Sequence, residues 1–212
     1  MAARHFATCC LIATGMLAAS PVLAHQTGDV LLKFGLTHVK PKSDNGSVAG
    51  NSIDLDVGSS TRPSFSLTYL ATDNIGIELL GALPFKHSVH GSTAAGALGQ
   101  IGETKQLPPT LSLQWHFLPQ STIQPYVGLG VNYTRFFSTK ARGPLAGSRL
   151  KLDDSWGLAG QLGVDIKIDD KWFFTTDVRY IDISSDVKLN GEKIGKAKID
   201  PWTLSVGVGY RF

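Results

Sequence analysis

The carboxyl-terminal stretch, Asp200 to Phe212, alternates strictly between large apolar side chains and small or polar ones. The apolar set is Trp202, Leu204, Val206, Val208, Tyr210 and Phe212, and the residues between them are Thr203, Ser205, Gly207, Gly209 and Arg211. This period of two predicts a β-strand with one apolar face and one polar face. An apolar strand that runs to an aromatic last residue is typical of the closing strand of an outer-membrane barrel.

The amino-terminal stretch predicts export of the protein. Arg4 precedes a largely apolar run over 6–19, and Ala24 ends a small-residue motif of the kind that is cleaved in secreted proteins. We therefore expect a cleaved signal peptide over residues 1–24 and a mature domain over residues 25–212.

Charge and cysteine content narrow the classes of protein that fit. The sequence has 20 Lys and Arg against 17 Asp and Glu, and loss of Arg4 leaves 19 against 17, a net charge of +2. This near balance gives no support to nucleic-acid binding or to a polybasic membrane patch. Both cysteines, Cys9 and Cys10, precede Ala24, so the mature chain is expected to form no disulfide.

Seven more alternating segments precede the last one, and no later stretch approaches the roughly 18 consecutive apolar residues of a transmembrane helix. In chain order the eight segments are 29–39, 63–71, 75–86, 109–117, 123–137, 155–168, 172–181 and 200–212. Most approach the roughly ten residues that a tilted strand needs to cross a hydrocarbon core. The sequence therefore predicts an all-β fold, an eight-stranded antiparallel transmembrane β-barrel.

The connections between these segments alternate between short and long. The short ones are 73–74, 118–122 and 169–171, and the long ones are 40–62, 87–108, 138–154 and 182–198. This asymmetry is typical of barrels in the outer membrane of Gram-negative bacteria, which have short periplasmic turns and long extracellular loops. Both termini of the mature chain are then expected at the short-turn end.

Aromatic residues of the apolar face are predicted at two heights along the barrel. The set toward the short turns is Tyr69, Trp115, Phe117, Trp172, Phe174, Tyr210 and Phe212, and the set toward the long loops is Phe85, Tyr133, Phe137, Trp156, Tyr180 and Trp202. Two such girdles are typical of a lipid-facing surface. The alternative, a secreted soluble sandwich or lipocalin-like barrel, would have to pack these rings inside a bore just wide enough for ordinary side chains.

Five long motifs are specific enough to carry a family resemblance. They occupy 69–87, 107–117, 125–137, 153–165 and 200–212, and include P-Y-V-G-L-G-V-N-Y-T-R-F-F and the ending D-P-W-T-L-S-V-G-V-G-Y-R-F. In order and content they resemble the OmpW family of small outer-membrane barrels, including its AlkL branch. The resemblance implies passage of small hydrophobic molecules across the outer membrane.

The same resemblance implies several partners. Phe212 resembles the aromatic last residue that the barrel assembly machinery reads. Outer-membrane lipid and lipopolysaccharide are expected around the barrel, small hydrophobic molecules are expected as ligands, and no nucleic-acid partner is expected.

Residues of the opposite parity are predicted to fill the bore. Toward the short turns they include charges of both signs, Lys33, Glu78, Asp165, Asp177 and Arg211, with Gln114, His116 and Gln161 nearby. Charges in a narrow bore are expected to pair, because an unpaired buried charge is costly. This pattern favours a satisfied polar plug over an ion-conducting path, and a continuous wide water pore is not expected.

Toward the long loops the inward positions become apolar. The residues predicted to line an apolar pocket are Leu80, Ala82, Pro84, Phe136, Ile181 and Val39, joined by Ile53, Leu55 and Val57 from the first long connection. An apolar molecule that entered above a polar plug would have no way downward. Its exit is therefore expected to be sideways, into the lipid.

Three prolines are predicted at one height on neighbouring strands. Pro84 lies in the third segment, and Pro108 and Pro109 lie at the start of the fourth. Each lacks a backbone N–H, so the hydrogen-bond ladder between the two strands cannot be complete there. Two interpretations remain open: a lateral opening between the third and fourth strands, or prolines that merely end the strands at the rim.

One position departs from the family pattern. The resemblance associates the pocket floor with a leucine of the third strand and an aromatic residue of the seventh. Leu80 matches the first, whereas Arg179 stands where Trp is expected. Arg179 is expected to pair with Glu78 or another inward acid, or to bind a polar head group, and either would make the pocket less apolar.

Other chemistry receives little support from the sequence. His87 and His90 are expected in a surface loop, His38 and His116 fall on separate strands, and no spacing among them resembles a metal site. No G-x-S-x-G motif occurs. We therefore expect no catalytic residue, no metal and no cofactor. Two alternatives to transport remain, a structural, adhesive or receptor barrel acting through its loops and, less favoured, an outer-membrane enzyme.

Overall fold

The computed structural model describes residues 25–212, so the predicted signal peptide lies outside the described residues. Within this range the chain forms fifteen β-strands and a 3₁₀ segment at Gly143–Leu145. The strands are β1 (Val30–Lys40), β2 (Ser47–Val48), β3 (Ile53–Val57), β4 (Ser60–Leu70), β5 (Ile75–Ala82), β6 (Phe85–Thr93), β7 (Gly96–Leu107), β8 (Thr110–His116), β9 (Ile123–Ala141), β10 (Leu150–Leu152), β11 (Ser155–Lys167), β12 (Trp172–Ile181), β13 (Ser184–Leu189), β14 (Glu192–Lys198) and β15 (Trp202–Arg211).

Eight of these strands close into an antiparallel barrel. Going around it, the order is β1, β4, β5, β8, β9, β11, β12 and β15, and β15 pairs back onto β1. At the closure Phe34 of β1 lies opposite Val208 of β15 and, on its other side, opposite Phe65 of β4. Each barrel strand falls within or overlaps one predicted segment. The predicted fold class and strand count are therefore confirmed.

The closing pair of strands depends on two inward-facing glycines. Gly35 and Gly207 lie opposite each other in the β1–β15 ladder. A Cβ on Gly207 would clash with the carbonyl oxygen of Phe34, and one on Gly35 would clash with that of Val206. No side chain fits at either position, so these two residues let the backbones approach at the closure.

The apolar face of the barrel points outward. Leu129, Leu158 and Trp156 expose 77%, 71% and 72% of their surface, whereas the inward Lys33 exposes 6%. Ring pairs gather at both ends, Trp172 with Tyr210 at the short-turn end and Tyr180 with Trp202 at the long-loop end. An exposed apolar band between aromatic girdles is a lipid-facing surface. The soluble alternative, which required the apolar face to point inward, is wrong.

The third predicted segment is broken, and this changes the side of the barrel wall that Phe85 faces. Strand β5 ends at Ala82 and β6 begins at Phe85, so the alternation restarts after Pro84. Phe85 is 2% exposed, although it was expected on the lipid-facing girdle. Because a one-residue slip moves every side chain to the opposite face, Phe85 turns inward instead.

The long connections, expected as loops, form a second β-structure beyond the barrel. Strands β10, β13, β14, β2, β3, β6, β7 and the end of β9 are hydrogen-bonded neighbours in that order. The 19-residue β9 belongs to both parts, pairing with β8 up to Asn132 and with β7 from Arg135 onward. The barrel wall is therefore continued by a β-sheet that encloses its own apolar core, which we call the loop-end core.

Residues 25–212 hold no helix that is both long enough and apolar enough to cross a membrane.

Candidate ligand path and polar plug

Charged side chains pair across the bore in its short-turn half. Lys33 of β1 places Nζ 3.0 and 2.9 Å from the two carboxylate oxygens of Asp165 on β11. Arg179 of β12 places Nη2 2.9 Å from Oε1 of Glu78 on β5 and 3.4 Å from Oδ1 of Asp177. We call these five residues the plug. Lys33, Glu78, Asp165 and Asp177 were predicted at this height, whereas Arg179 was predicted at the floor of the apolar pocket.

Neutral groups complete the hydrogen bonding of the plug. Thr175 donates its hydroxyl hydrogen to Oδ1 of Asp165 at 2.6 Å, and Ser66 donates to Oε2 of Glu78 at 3.1 Å. Nζ of Lys33 also lies 4.4 Å above the ring of the fully buried Tyr126. Such partners offset part of the desolvation cost of burying ions. The plug is a packed polar layer across the bore.

Arg211 lies outside this layer. Its Nη1 is 3.6 Å from Oδ2 of Asp29, and its Nη2 donates to the backbone carbonyl of Asp170 at 2.7 Å. Both partners belong to the short-turn end of the barrel. The alternation of the last strand correctly predicted that Arg211 faces inward. The structure places it at the rim of the barrel rather than among the plug charges.

The guanidinium of Arg179 borders a small polar cavity of about 30 Å³. Leu80, Ser66 and Asp177 share that lining. Nε and Nη1 of Arg179 have no hydrogen-bond partner among the described residues, although the side chain is 1% exposed. Space of this size fits about two water molecules. The predicted pocket floor is therefore polar, and Leu80 lies beside it rather than in the loop-end core.

The residues predicted to line one apolar pocket are divided between several places. Phe136 and Ile181 pack in a lower cluster with Leu152, Ala159, Ile183 and Ile199. Leu55 and Ile53 pack in an upper cluster with Val48, Ile101, Val187 and Ala197. Ala82 pairs with Ser64 in the β4–β5 ladder, and Pro84 follows the end of β5. Only part of the predicted set therefore faces the loop-end core.

A cavity of about 40 Å³ lies in the loop-end core. Its lining is Val48, Leu55, Val57, His87, Val89, Ile101, Thr104, Gln106, Leu145, Leu150, Leu152, Val187, Ile194, Ala197 and Ile199. Most of these residues come from connections that were expected to be irregular. Alternation inside the connections was the signal that could have identified them, since residues 183, 185 and 187 are all buried.

His87 is the basic side chain of this cavity lining. It is 1% exposed, so the expectation of a surface-loop histidine was wrong. Nδ1–H donates to the carbonyl oxygen of Gly58 at 2.6 Å, and the amide of Gln106 lies 3.1 Å from Nε2. Burial lowers the pKa of His87 below its usual value. A neutral imidazole therefore faces the cavity at neutral pH, and Phe85 stacks beside it at 6.4 Å.

The hydrogen-bond ladder between the third and fourth barrel staves is interrupted. The last β5–β8 pair is Leu80 with Thr110, and the first β6–β7 pair is Phe85 with Gln106. Between these two pairs, the described residues form no further strand-to-strand pair across the two staves. We call the facing stretches, 81–84 and 107–109, the ladder gap. All three prolines of the sequence prediction lie in it.

Each side of the ladder gap is anchored away from the other. Leu83 donates its backbone N–H to the carbonyl oxygen of Pro63 on β4 at 3.0 Å. On the opposite side the carbonyl oxygen of Pro109 accepts from the backbone N–H of Tyr133 at 3.1 Å and from the side-chain amide of Asn132 at 3.1 Å. The backbone groups of the ladder gap that have these bonds are therefore bonded to β4 and β9, the strands on either side of it.

Known proteins resemble this chain over almost its whole length. The OmpW family profile matches residues 26–212. Outer membrane protein W of Vibrio cholerae serotype O1 is 41% identical over 212 residues, covering 96% of this chain and 98% of that protein. Outer membrane protein AlkL of Ectopseudomonas oleovorans is 30% identical over 196 residues, covering 89% and 84%. The crystal structure of the outer membrane protein OprG from Pseudomonas aeruginosa superimposes with a TM-score of 0.79 at 34% identity, covering 90% and 98%.

Proposed function

This chain belongs to the OmpW family and is an outer-membrane barrel of a Gram-negative bacterium, and from that premise we propose that it carries small hydrophobic molecules from the cell surface into the outer membrane. The molecule enters the loop-end core and leaves sideways through the ladder gap. We assign no catalytic group to the loop-end core or to the ladder gap, and we propose no enzymatic activity.

The observation that carries the proposal is an apolar enclosure directly above a closed polar layer. The loop-end core is built from aliphatic side chains, whereas the plug below it spans the bore with paired charges. Moving an apolar molecule through the plug would place it among charged side chains, which offer it no favourable apolar contact. A sideways route into lipid avoids that cost, because the molecule then stays in apolar surroundings.

Phe85 connects the two parts of the proposed route. It directly follows the ladder gap, it is buried, and it stacks on His87 in the cavity lining. The cavity of about 40 Å³ is smaller than a hydrocarbon of several carbons. Passage therefore requires displacement of side chains, and rotation of the Phe85 ring is the displacement that would open the cavity toward the gap.

The plug also bears on the class of ligand. Its two cations, Lys33 and Arg179, face three acids, Glu78, Asp165 and Asp177. Because acids are in excess, a carboxylate or phosphate head group gains little by approaching Arg179. The proposed ligand is therefore an uncharged hydrophobic compound rather than an anionic amphiphile.

Filling the cavity tests the proposed entry. Ala197→Phe places a ring among the residues of the upper cluster, and we expect the uptake of a fluorescent aromatic hydrocarbon by cells to fall several-fold. Ala146→Phe is the matched control, since it makes the same change at an exposed position of the long-loop end. Equal uptake by both variants at equal barrel content in the outer membrane would remove the cavity from the route.

A reversible cross-link tests the proposed exit. Extending the β5–β8 register by two residues places Ala82 opposite Pro108, and the predicted mature chain has no cysteine to compete. We expect the oxidised Ala82→Cys/Pro108→Cys variant to take up the hydrocarbon slowly and the reduced variant to recover. The pair Leu67→Cys/Leu79→Cys joins an intact ladder and serves as the control. Fast uptake by the oxidised gap variant would contradict the proposed lateral exit.

Two further parts of the proposal concern partners. Outer-membrane lipid surrounds the barrel, and we propose that lipopolysaccharide contacts its long-loop girdle and that the barrel assembly machinery reads Phe212, which is 68% exposed at the end of β15. A receptor or adhesive role through the long-loop end is the alternative function. Loop exchange that abolishes surface binding while uptake stays normal would favour it.

A further inference from the structure

Three potential metal ligands converge in the short-turn half of the bore, and one of them, Asp165, belongs to the plug. One donor atom from each of His25, His116 and Asp165 lies within 4.8 Å of the others. The three residues come from the amino terminus, β8 and β11, and they are 3%, 0% and 1% exposed. Sequence spacing gave no hint of this cluster, because its members lie far apart in the chain.

Both histidines present an unused nitrogen. Nδ1 of His25 and Nδ1 of His116 are buried and have no hydrogen-bond partner among the described residues. Nε2 of His116 lies 3.3 Å from Oε1 of Gln114, an oxygen that can only accept a hydrogen bond. The proton of His116 therefore sits on Nε2, and Nδ1 keeps a free lone pair. Leaving such nitrogens buried without a partner is unfavourable unless something binds them.

His25 supplies a second donor if the predicted cleavage after Ala24 occurs. The residue then carries a free α-amine, and the amine and Nδ1 of one histidine can close a six-membered chelate ring on a metal ion. Adding Nδ1 of His116 gives three nitrogen donors. Nitrogen ligands of this type suit Cu²⁺, which is the divalent first-row ion that such sites generally bind most tightly.

We propose that the mature amino terminus and His116 together bind one divalent copper ion inside the barrel, with Asp165 as a neighbouring acidic group. Metal–nitrogen bonds are about 2.0–2.1 Å, so two donors on one ion lie at most about 4 Å apart. One donor atom of each of the three side chains already lies within 4.8 Å of the others. The ion enters from the short-turn end, where His25 borders a small cleft with Asp169 and Asp170.

The surrounding charges set the strength of the site. Asp165 favours a cation, but both of its oxygens already accept hydrogen bonds from Lys33. The ammonium of Lys33 opposes a second positive charge, so the three nitrogens are the primary ligands. Binding also displaces the proton of the α-ammonium, because only the free amine coordinates.

The experiment uses the processed barrel purified from outer membranes, stripped with EDTA and titrated with Cu²⁺ in detergent. We expect one ion per chain and an electron paramagnetic resonance spectrum with nitrogen splitting. His25→Ala keeps the α-amine and removes only the first imidazole, and His116→Gln removes only the second imidazole. Each should weaken binding at least about tenfold, since changes to groups behind metal ligands already cost that much.

His38→Gln is the control, because His38 is an exposed histidine whose Nδ1 bonds to Thr61 on the outer surface. It should bind copper as the unaltered protein does. The heat-dependent gel shift of a folded barrel verifies the fold of every variant. The proposal is overturned by unchanged copper affinity and spectrum in both altered proteins, or by an intact mass that puts the mature amino terminus elsewhere than His25.

Discussion

Replacing Arg179 with Met is expected to lower the free energy of unfolding of the barrel by about 3–5 kcal/mol. The substitution removes the cation that lies 2.9 Å from Glu78 and 3.4 Å from Asp177, and Glu78 is 1% exposed. A buried carboxylate without its partner keeps its desolvation cost and loses the attraction that offset it. Urea-induced unfolding of the barrel refolded into lipid vesicles measures the change.

A neutral version of the same layer provides the control. In the triple variant Arg179→Met, Glu78→Gln, Asp177→Asn no charge is left unpaired, so most of the lost stability should return. The Lys33–Asp165 pair is untouched in both proteins. A loss below about 1 kcal/mol for the single variant would mean that water reaches these charges, which contradicts a closed plug.

Leu129→Arg is expected to cost about 2–4 kcal/mol in lipid vesicles, because it places a charge on the lipid face near mid-height. Leu129 lies in β9 between Val127, which pairs with Trp115, and Tyr133 of the long-loop girdle. Its side chain is 77% exposed, so in a water-soluble barrel the same change would be almost neutral. The result therefore separates a lipid-facing surface from a hydrated one.

Ala146→Arg is the matched control for that prediction. Ala146 is exposed just after the 3₁₀ segment of the long-loop end, outside the barrel wall. An arginine there should change the free energy of unfolding by no more than about 0.5 kcal/mol. Similar costs at both positions would count against the assigned height of Leu129.

Alternation of period two was sufficient to predict the barrel. The outward set predicted for the last segment was Trp202, Leu204, Val206, Val208, Tyr210 and Phe212. Five of the six are exposed in the structure, and Tyr210 is half-buried between the rings of Trp172 and Phe212. The argument works because the face of a residue is a local property, fixed by the pleat of its own strand. It failed at Phe85, because β5 ends at Ala82 and a new strand restarts the alternation after Pro84.

Pairing partners across the bore were less predictable. The sequence indicated that Lys33, Glu78, Asp165 and Asp177 face inward, and it offered Glu78 as one partner for Arg179. It did not say that Lys33 would bind Asp165. Those contacts depend on the tilt and stagger of all eight strands, which set the height of each side chain. Arg211 has the right face and lies at the rim for this reason.

The sequence by itself therefore determined the eight barrel strands, their lipid-facing side and the polar character of the bore, because each follows from alternation along one segment. Only the tertiary structure decided that the connections build the loop-end core, that His87 is buried in it, and that His25 meets His116 and Asp165. Each of these depends on closure of the barrel, which brings segments far apart in the chain to one height. The periodicity within one segment gives no information about which distant segments it will contact.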